Sequence, residues 1–347
     1  MRFYTEQHEY YCGIDLHART MYVCVLDATG AIVVHRNLKA NPEQFLEVLA
    51  PYRSGVAVAV ECIFTWYWLA DLCAREKIPF VLGHALYMKA IHGGKAKNDR
   101  IDAHKIAALL RGGMIPQAYV YPEGMRSTRD LLRRRMHLMR QRAERLAHIQ
   151  NTNHQYNLPP IGKKIAYKSN RAGVAERFAD PGVREIVRLD LELIGEYDRL
   201  LTALELQIVK QAKQHGPQAF HRLRTVPGIG KILALVILYE IHDVRRFPSV
   251  QDFVSYARLV KPKKESAGKV SGSGGAKIGN PNLKWAFSEA AVLFLKNNPK
   301  GQALVARLEH RHGKGKALSI LAHKLGRAVY AMLRRGEAFD MNRFFNR

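Results

Sequence analysis

The chain has 347 residues, of which 47% are hydrophobic and 24% charged, and its formal net charge is +25. This length allows two or three domains, and the composition is that of a globular protein. Residues 1–120 are nearly neutral, so the positive charge belongs to residues 121–347, and such an imbalance attracts phosphate polymers. The longest strongly apolar run, residues 232–239, is too short for a membrane span, and residues 1–10 lack an apolar signal core. We therefore expect a cytosolic protein with no membrane partner.

The cysteines, the histidines and the Gly-Lys dipeptides argue against two further classes of chemistry. Four cysteines without paired spacing are expected to be reduced core residues: Cys12, Cys24, Cys62 and Cys73. The 15 histidines form no paired zinc motif, and no Gly-Lys dipeptide completes a phosphate-binding loop. Zinc chemistry and nucleotide hydrolysis are therefore disfavoured.

The first 122 residues show a mixed strand and helix pattern. Three β-prone runs, at 10–15, 21–27 and 31–38, predict an antiparallel meander. A helix from Pro42 leads to a buried strand at residues 56–61, and a helix, a strand and a last helix near Asp99 follow. This βββαβαβα order predicts an α/β domain of the RNase H-like type, with functional residues at strand ends.

Acidic residues recur where this sheet would bring them together. Asp99 and Asp102 lie three residues apart in the first turn of a predicted helix, so their side chains are neighbours. Taken alone, the pair is better explained by a helix cap at Asn98 or Asp99, with Asp102 at the positive end of the helix dipole. Asp15 and Glu61 each end a predicted strand; alone, Asp15 reads as a turn residue, because Asp15-Leu16-His17 precedes a turn, and Glu61 reads as a surface acid. In an RNase H-like sheet all four converge, and converging carboxylates need a cation such as Mg²⁺ or Mn²⁺. The order of the four favours a two-metal type of site.

Residues 123–215 are predicted to form a basic coiled-coil hairpin. Apolar positions alternate four and three residues apart in a first helix and return in a second helix after a Pro-Pro loop. A solvated helix face is often rich in arginine, but eight arginines between 126 and 145 face only two acids. This bias favours contact with a phosphate backbone. The arginines are Arg126, Arg129, Arg133, Arg134, Arg135, Arg140, Arg142 and Arg145.

Residues 216–347 are predicted to form a mostly α-helical domain that begins with a glycine turn. The run Gly228-Ile229-Gly230-Lys231 looks like a helix-hairpin-helix that offers backbone N–H groups to a phosphate. A tight turn between packed helices would have the same sequence, but the neighbouring basic residues favour nucleic acid.

A basic loop over residues 263–277 follows, and its composition is typical of a flexible linker. Its glycines would also let the backbone approach a phosphate. No neighbouring residue is a general base, so chemistry alone does not choose among its serines. The candidate phosphate contacts are Lys263, Lys264, Lys269 and Lys277, and the serines are Ser266, Ser271 and Ser273.

Taken in order, these segments resemble the transposases of the insertion sequence 110 family, which include Piv-type DNA invertases. The resemblance covers nearly the whole chain, and its motifs are weak singly but specific together. The matching runs are Gly13-Ile14-Asp15, Val60-Glu61, Lys97-Asn98-Asp99 through Asp102-Ala103, Thr225-Val226-Pro227-Gly228-Ile229-Gly230, Tyr256-Ala257-Arg258-Leu259-Val260 and Gly279-Asn280-Pro281-Asn282-Leu283-Lys284.

The resemblance implies a RuvC-like domain whose four acids bind divalent metal, a coiled coil, and a transposase domain with a nucleophilic serine. By position after Leu259-Val260, that serine is Ser266. The chain has Arg258-Leu259-Val260-Lys261-Pro262 where many relatives have Gly-Leu-Val-Pro, so Ser271 and Ser273 stay open.

The resemblance also implies partners and an activity. The protein would cut and rejoin donor and target DNA of an insertion sequence, guided by a structured non-coding bridge RNA. We expect a homo-oligomer, a dimer or a tetramer, in the bacterial cytosol or nucleoid. Two alternatives remain: a metal-dependent junction nuclease that uses water, and a non-enzymatic protein that organises nucleic acid. The four acids argue against the second alternative, whereas a nucleophilic serine separates the recombinase from the nuclease.

Overall fold

The chain folds into two compact units, residues 1–123 and residues 124–347. The computed structural model describes residues 2–91, 98–212, 216–261, 264–272 and 278–346. Both units have their own hydrophobic core. The three-domain division at residues 122/123 and 215/216 stays a prediction.

The first unit is a mixed sheet with helices. Its strands are β1 (Phe3–Tyr4), β2 (Tyr10–Leu16), β3 (Thr20–Asp27), β4 (Ile32–Lys39), β5 (Val56–Glu61), β6 (Phe80–Gly83) and β7 (Ile115–Pro116). Its helices are α1 (Pro42–Leu49), α2 (Tyr67–Arg75), α3 (Ala85–Ile91) and α4 (Asp99–Arg111). Five strands form one sheet in the order β4-β3-β2-β5-β6, and β1 pairs separately with β7.

The pairing directions follow from the connections. Strands β2, β3 and β4 are antiparallel neighbours joined by short turns, whereas β5 and β6 run parallel to β2 after helical crossovers. Strand β5 reads Val-Ala-Val-Ala-Val and is buried up to its last residue, Glu61, as a central parallel strand requires. The mixed α/β sheet predicted from the sequence is confirmed, but the β1–β7 pair and α3 were not predicted because they are very short.

The second unit is mainly helical. Its elements are α5 (Glu123–Gln155), α6 (Pro181–Ala212), α7 (Pro217–Arg224), α8 (Lys231–Ile241), α9 (Val250–Tyr256), β8 (Lys264–Ser266), β9 (Lys269–Gly272), α10 (Pro281–Phe294), α11 (Pro299–His312), α12 (Lys314–Arg335) and α13 (Met341–Phe345). Helix α8 is mostly apolar and buried from Leu233 to Ile241, and helices α7 and α10 pack against it.

Helices α5 and α6 lie antiparallel. Arg142 donates to Asp198 at 2.6 Å, and Arg135, one to two turns earlier, donates to Glu205 at 2.7 Å, one to two turns later. Ile149 near the end of α5 packs in one cluster with Val187 near the start of α6. The predicted helical hairpin is therefore present, while supercoiling of its two helices stays a prediction.

Three of the four cysteines are buried. Cys12, Cys24 and Cys73 are buried free thiols, as expected, but Cys62 is exposed because it follows the end of β5. The expectation of a core position was therefore wrong for Cys62. Among the helices of the described residues, none is long and apolar enough to cross a membrane.

Candidate metal centre and nucleic-acid surface

Helix α4 lies directly on strand β2 because Gly13 has no side chain. A Cβ atom added at Gly13 would lie 2.2 Å from the amide nitrogen of Ala107 and 2.4 Å from the carbonyl oxygen of Ala103. Both alanines are fully buried, so small residues on the strand and on the helix permit the close approach. The packing holds the start of α4 against the strand that carries Asp15.

The start of α4 is fixed by its N-cap residue. Asn98 has an extended backbone, and its side chain accepts a hydrogen bond from the amide of Ile101 at 2.8 Å. Asp99 is therefore the first helical residue, and Asp102 lies one turn further on. The sequence left Asn98 and Asp99 as alternative caps, and the structure selects Asn98.

Asp15, His17 and Asp99 form a group of candidate metal ligands. One donor atom of each side chain lies within 4.8 Å of the others. His17 Nε2 is 3.5 Å from Asp15 Oδ2 and 3.5 Å from Asp99 Oδ2. The Asp15 side chain is only 18% exposed, whereas those of His17 and Asp99 are 47% and 52% exposed. The group therefore faces solvent at the end of β2.

This donor set fits a divalent cation. Two carboxylate oxygens and an imidazole nitrogen are ligands that Mn²⁺ and related ions accept, and Mg²⁺ uses the carboxylates together with water. Two carboxylates this close repel one another unless positive charge lies between them. A divalent cation bound to this group would supply that charge.

His17 was not predicted as a site residue. It follows the last residue of β2, and its amide donates to the carbonyl oxygen of Thr20 at 2.9 Å, so it begins the turn into β3. Side chains two residues apart on a strand point to the same face. The Asp-Leu-His spacing was therefore the available signal, but it was interpreted as a turn.

Glu61 and Asp102 occupy neighbouring positions. Glu61 is the last residue of β5, and the register pairs Val60 with Ile14, so Glu61 lies beside Asp15 on adjacent parallel strands. Lys105 Nζ lies 3.6 Å from Asp102 Oδ1. Among the described residues, the 4.8 Å group contains neither Glu61 nor Asp102. The four-carboxylate site stays a prediction.

Two of the predicted nucleic-acid arginines make a buried ion-pair cluster. Glu240 of α8 is 2% exposed and accepts hydrogen bonds from Arg129 at 3.1 Å and from Arg133 at 2.8 Å. Asn280 and Asn282 donate to the same carboxylate at 2.8 and 2.9 Å. Asn280 also caps α10 by accepting from the amide of Leu283. The cluster therefore ties α5 and α8 to the start of α10.

Burial alone would raise the pKa of Glu240. The hydrogen bond from Arg133, the charges of Arg129 and Arg133, and the hydrogen bond from Asn280 outweigh it and lower the pKa to about 2. The carboxylate is therefore ionised at neutral pH, which a buried charge tolerates only with such partners.

The remaining arginines of α5 divide into engaged and exposed residues. Arg126 is buried, and Arg135 and Arg142 pair with acids of α6. Arg145 lies 3.8 Å from Asp190. Arg134 and Arg140 are exposed and have no ion-pair partner in the described part of the chain. Contact of the arginines with nucleic acid stays a prediction, and these last two present their charge most openly.

The glycine turn between α7 and α8 is closely packed. Gly228 has a φ of +83°, and an added Cβ atom would lie 2.5 Å from the amide nitrogen of Phe294. Gly230, the N-cap of α8, has open space around the same position, and Lys231 is exposed. Gly228 is therefore explained by helix packing, while Gly230 and Lys231 remain predicted phosphate contacts.

The basic loop over residues 263–277, which carries the candidate serines and is called the serine loop, contains a β-hairpin. Its composition predicted a flexible linker. Strands β8 and β9 pair Ser266 with Lys269 across a two-residue turn in which Ala267 and Gly268 have φ of 51° and 73°. Ser266 and Lys269 are exposed. Lys264 is in β8 and Ser271 in β9, whereas Lys97, Lys263, Ser273 and Lys277 lie outside the described residues.

The base of this loop is held by hydrogen bonds to backbone carbonyl oxygens. The amide of Asn280 donates to the carbonyl oxygen of Tyr256 at 2.6 Å, and Arg258 Nε donates to that of Ile278 at 2.9 Å. Gly279 has a φ of +90°, and an added Cβ atom would lie 2.6 Å from the Tyr256 oxygen. The two ends of the loop are therefore adjacent, and Gly279 is required by this close approach.

Acidic side chains at the end of β2 and the start of α4 in one unit, together with an excess of basic residues in the other, are typical of proteins that process nucleic acid. Two family models match the chain: one described as a transposase of the DEDD type at residues 12–157, and one described as the transposase IS116/IS110/IS902 family at residues 220–306. The chain belongs to this insertion sequence 110 family.

Two related transposases are similar to this chain over most of its length. The transposase for insertion sequence element IS1111A of Coxiella burnetii is 24% identical over 343 residues, 94% of this chain and 90% of that protein. The transposase for IS1328 of Yersinia enterocolitica is 27% identical over 348 residues, 94% and 98% of the two chains. The pilin gene-inverting protein of Moraxella bovis is 34% identical over 134 residues, 36% of this chain and 40% of that protein.

Proposed function

We propose that the chain is the transposase of an insertion sequence, which cuts and rejoins DNA strands through a serine–phosphate intermediate. The strongest support is the meeting of Asp15 and Asp99, 84 residues apart in sequence, in the part of the chain matched by the DEDD model. The strand order β4-β3-β2-β5-β6, antiparallel and then parallel, supports a RuvC-like, RNase H-like first unit.

The proposed metal ligands are Asp15, Glu61, Asp99 and Asp102, with His17 as an additional candidate. A bound Mg²⁺ or Mn²⁺ ion would supply Lewis-acid stabilisation of charge at a phosphodiester. The side chains themselves place negative charge at the end of β2, where it repels nucleic acid unless a cation is present. DNA binding at this edge is therefore expected to depend on divalent metal.

Ser266 is the proposed nucleophile. Its Oγ would bond to phosphorus and lose its proton, while the bond from phosphorus to one sugar oxygen breaks and that oxygen gains a proton. One phosphodiester replaces another, so the reverse attack by a second strand can rejoin DNA without added energy. The exposure of Ser266 on a hairpin opposite Lys269 supports this role, because the lysine attracts a phosphate.

The partners are proposed to be donor and target DNA, a structured bridge RNA and further copies of the same chain. The exposed Arg134 and Arg140 on α5 support backbone contact with nucleic acid. Sequencing the RNA that co-purifies with the protein tests whether a bridge RNA is a partner. A single structured RNA from the flank of the gene is expected, and only ribosomal fragments would contradict it.

Denaturing electrophoresis of the protein with labelled DNA tests the serine intermediate. Wild-type protein should give a covalent adduct that Ser266→Ala abolishes, whereas Ser271→Ala and Ser273→Ala should retain it. An adduct that is lost only in Ser271→Ala or Ser273→Ala would identify that serine as the nucleophile instead of Ser266. Cleavage without an adduct would favour a nuclease that uses water, and binding without cleavage would favour a protein that only organises nucleic acid.

A further inference from the structure

A basic groove lies between α12 and the segment that follows it, at the C-terminal end of the second unit. Its volume is about 560 Å³, within the usual range of cavities that bind small molecules, roughly 300–1,000 Å³. Its more buried lining is apolar and aromatic, with Met332, Phe339 and Phe344, while its exposed lining is basic. We refer to it as the C-terminal groove.

The basic lining of the C-terminal groove is organised by helix geometry. Lys324, Arg327 and Arg334 follow one another by three and seven residues on α12, so they share one face of the helix. The small side chain of Ala331 lies on that face between the two arginines, which leaves room above the helix. A row of positive charge therefore borders an apolar depression.

The acids of the C-terminal groove do not neutralise this row. Glu337 is 2.8 Å from Arg343 and 3.9 Å from Arg335, and Asp340 accepts from the backbone amide of Arg343 as the cap of α13. Both acids are thus engaged on the opposite wall. Arg327 and Arg334 have no ion-pair partner in the residues that the structure describes.

Like charges crowd around the same face. Burial and then the charge of Arg307 lower the pKa of Lys324, and burial and then the charge of Arg327 lower the pKa of His323. Such mutual repulsion costs free energy, and a bound anion would relieve it. The C-terminal groove therefore has the electrostatic character of an anion site as well as an apolar lining.

We propose that the C-terminal groove binds one unpaired nucleotide of a nucleic-acid strand, with its phosphates at Arg327 and Arg334 and its base against Phe339. Aromatic side chains bordered by cations are the usual platform for single-stranded nucleic acid. A base inside a duplex has both faces stacked and would not enter. The choice of ligand rests on the proposed function, whereas the site itself rests on the shape and charge of the groove.

Fluorescence anisotropy of the full chain in EDTA tests this binding without strand cleavage. The probes are labelled oligothymidine, oligouridine and a DNA duplex. Ala331→Trp fills the groove without changing charge, and it should weaken single-strand binding roughly 5- to 100-fold, as loss of one stacked base does. Duplex binding should stay unchanged. Ala203→Trp, at an exposed position of α6, is the matched control and should alter neither.

Charge reversal distinguishes binding in the C-terminal groove from nonspecific electrostatic attraction to the basic chain. Arg334→Glu should weaken single-strand binding more than Arg199→Glu on α6, although both change the net charge equally. Equal losses would overturn the proposal, as would full single-strand affinity in Ala331→Trp. The tighter-binding probe, oligothymidine or oligouridine, identifies DNA or RNA as the source of the nucleotide.

Photocrosslinking gives a readout that does not depend on the folding of a variant. A strand carrying 5-iodouracil should crosslink the wild-type chain at Phe339 or Phe344, and polyglutamate of equal charge should compete poorly with it. Crosslinks found only elsewhere, or equal competition by polyglutamate, would overturn the proposal. Because no cleavage is measured, a failure here is distinct from a missing serine adduct.

Discussion

Glu240 engages two of the arginines of α5 in ion pairs in the folded chain. Its buried carboxylate is held by Arg129 and Arg133, so Glu240→Ala leaves two guanidinium groups without their buried partner. Breaking a buried pair in this way typically costs about 3–5 kcal/mol. Urea unfolding followed by circular dichroism should show that loss. Glu196→Ala, which removes an exposed ion pair with Arg199, should leave the free energy of unfolding nearly unchanged, because solvent screens such a pair.

The same carboxylate gives the stability a defined pH dependence. The pKa of Glu240 is lowered to about 2 in the folded chain, against an ordinary value of 4.5. Because the unfolded chain takes up the proton first, the stabilisation is complete above the ordinary pKa and is lost as pH falls towards 2. Glu240→Gln should therefore show a flatter decline than wild type between these values. Parallel declines would contradict the depressed pKa.

Asp99 provides the residue-level test of the metal centre. Asp99→Asn keeps the shape of the side chain but removes the charge, so Mn²⁺ affinity measured by electron paramagnetic resonance should fall. Loss of a ligand's hydrogen-bond partner typically costs about 10- to 100-fold in affinity or activity, so loss of a ligand should cost at least that much. Glu43→Gln, also an exposed acid in the first turn of a helix, should leave Mn²⁺ binding unchanged.

At the scale of elements, Gly13 connects the packing of α4 to the metal centre. The Cβ atom of Gly13→Ala would lie 2.2 Å from the backbone of α4, so the helix must move away from β2. We expect a loss of at least about 2 kcal/mol in the free energy of unfolding, in the upper part of the usual overpacking range, together with weaker Mn²⁺ binding.

Gly195 provides the control for that substitution. It lies within α6 with open space at the Cβ position, so Gly195→Ala should stabilise the chain by about 0.5–1 kcal/mol. A stable Gly13→Ala protein with unchanged Mn²⁺ affinity would show that the close packing does not position Asp99.

The strands and helices were predictable where a pattern is local. Strand β5 was predicted with its full range because Val-Ala-Val-Ala-Val-Glu has the burial pattern of a central strand. The β8–β9 hairpin was not, since serine, lysine and glycine also suit a linker, and only the positive φ of Ala267 and Gly268 creates the turn. Local patterns thus identify elements whose burial is regular.

Contacts between distant residues were less predictable. The i, i+3 spacing drew attention to Asp99 and Asp102, but the distances group Asp99 with Asp15 and His17. Likewise, a count of arginines on α5 cannot show that Glu240, more than 100 residues away, accepts hydrogen bonds from two of them. Such pairings depend on which helices pack together in the fold. A single sequence does not show which helices those are.

At the scale of the whole molecule, the proposed chemistry is divided between the two units. The candidate metal ligands all belong to residues 1–123, and Ser266 belongs to residues 124–347. In the proposed mechanism, neither unit supplies both the nucleophile and the metal ligands. A serine hydroxyl without a neighbouring base is a weak nucleophile, so the proposed reaction needs residues of both units in one centre.

Complementation between two inactive variants tests whether that centre is shared by two protomers. Ser266 lies more than 150 residues from Asp99, beyond the α5–α6 hairpin, so we expect the serine of one copy to act with the acids of another. Co-expressed Ser266→Ala and Asp99→Asn chains would then form mixed dimers with one intact centre each. Random pairing restores about a quarter of wild-type centres, and adduct yield on denaturing gels should rise to that level. Each variant expressed alone should give no adduct. If the co-expressed pair also gives none while mixed dimers are recovered by two affinity tags, both residues of each centre come from the same protomer.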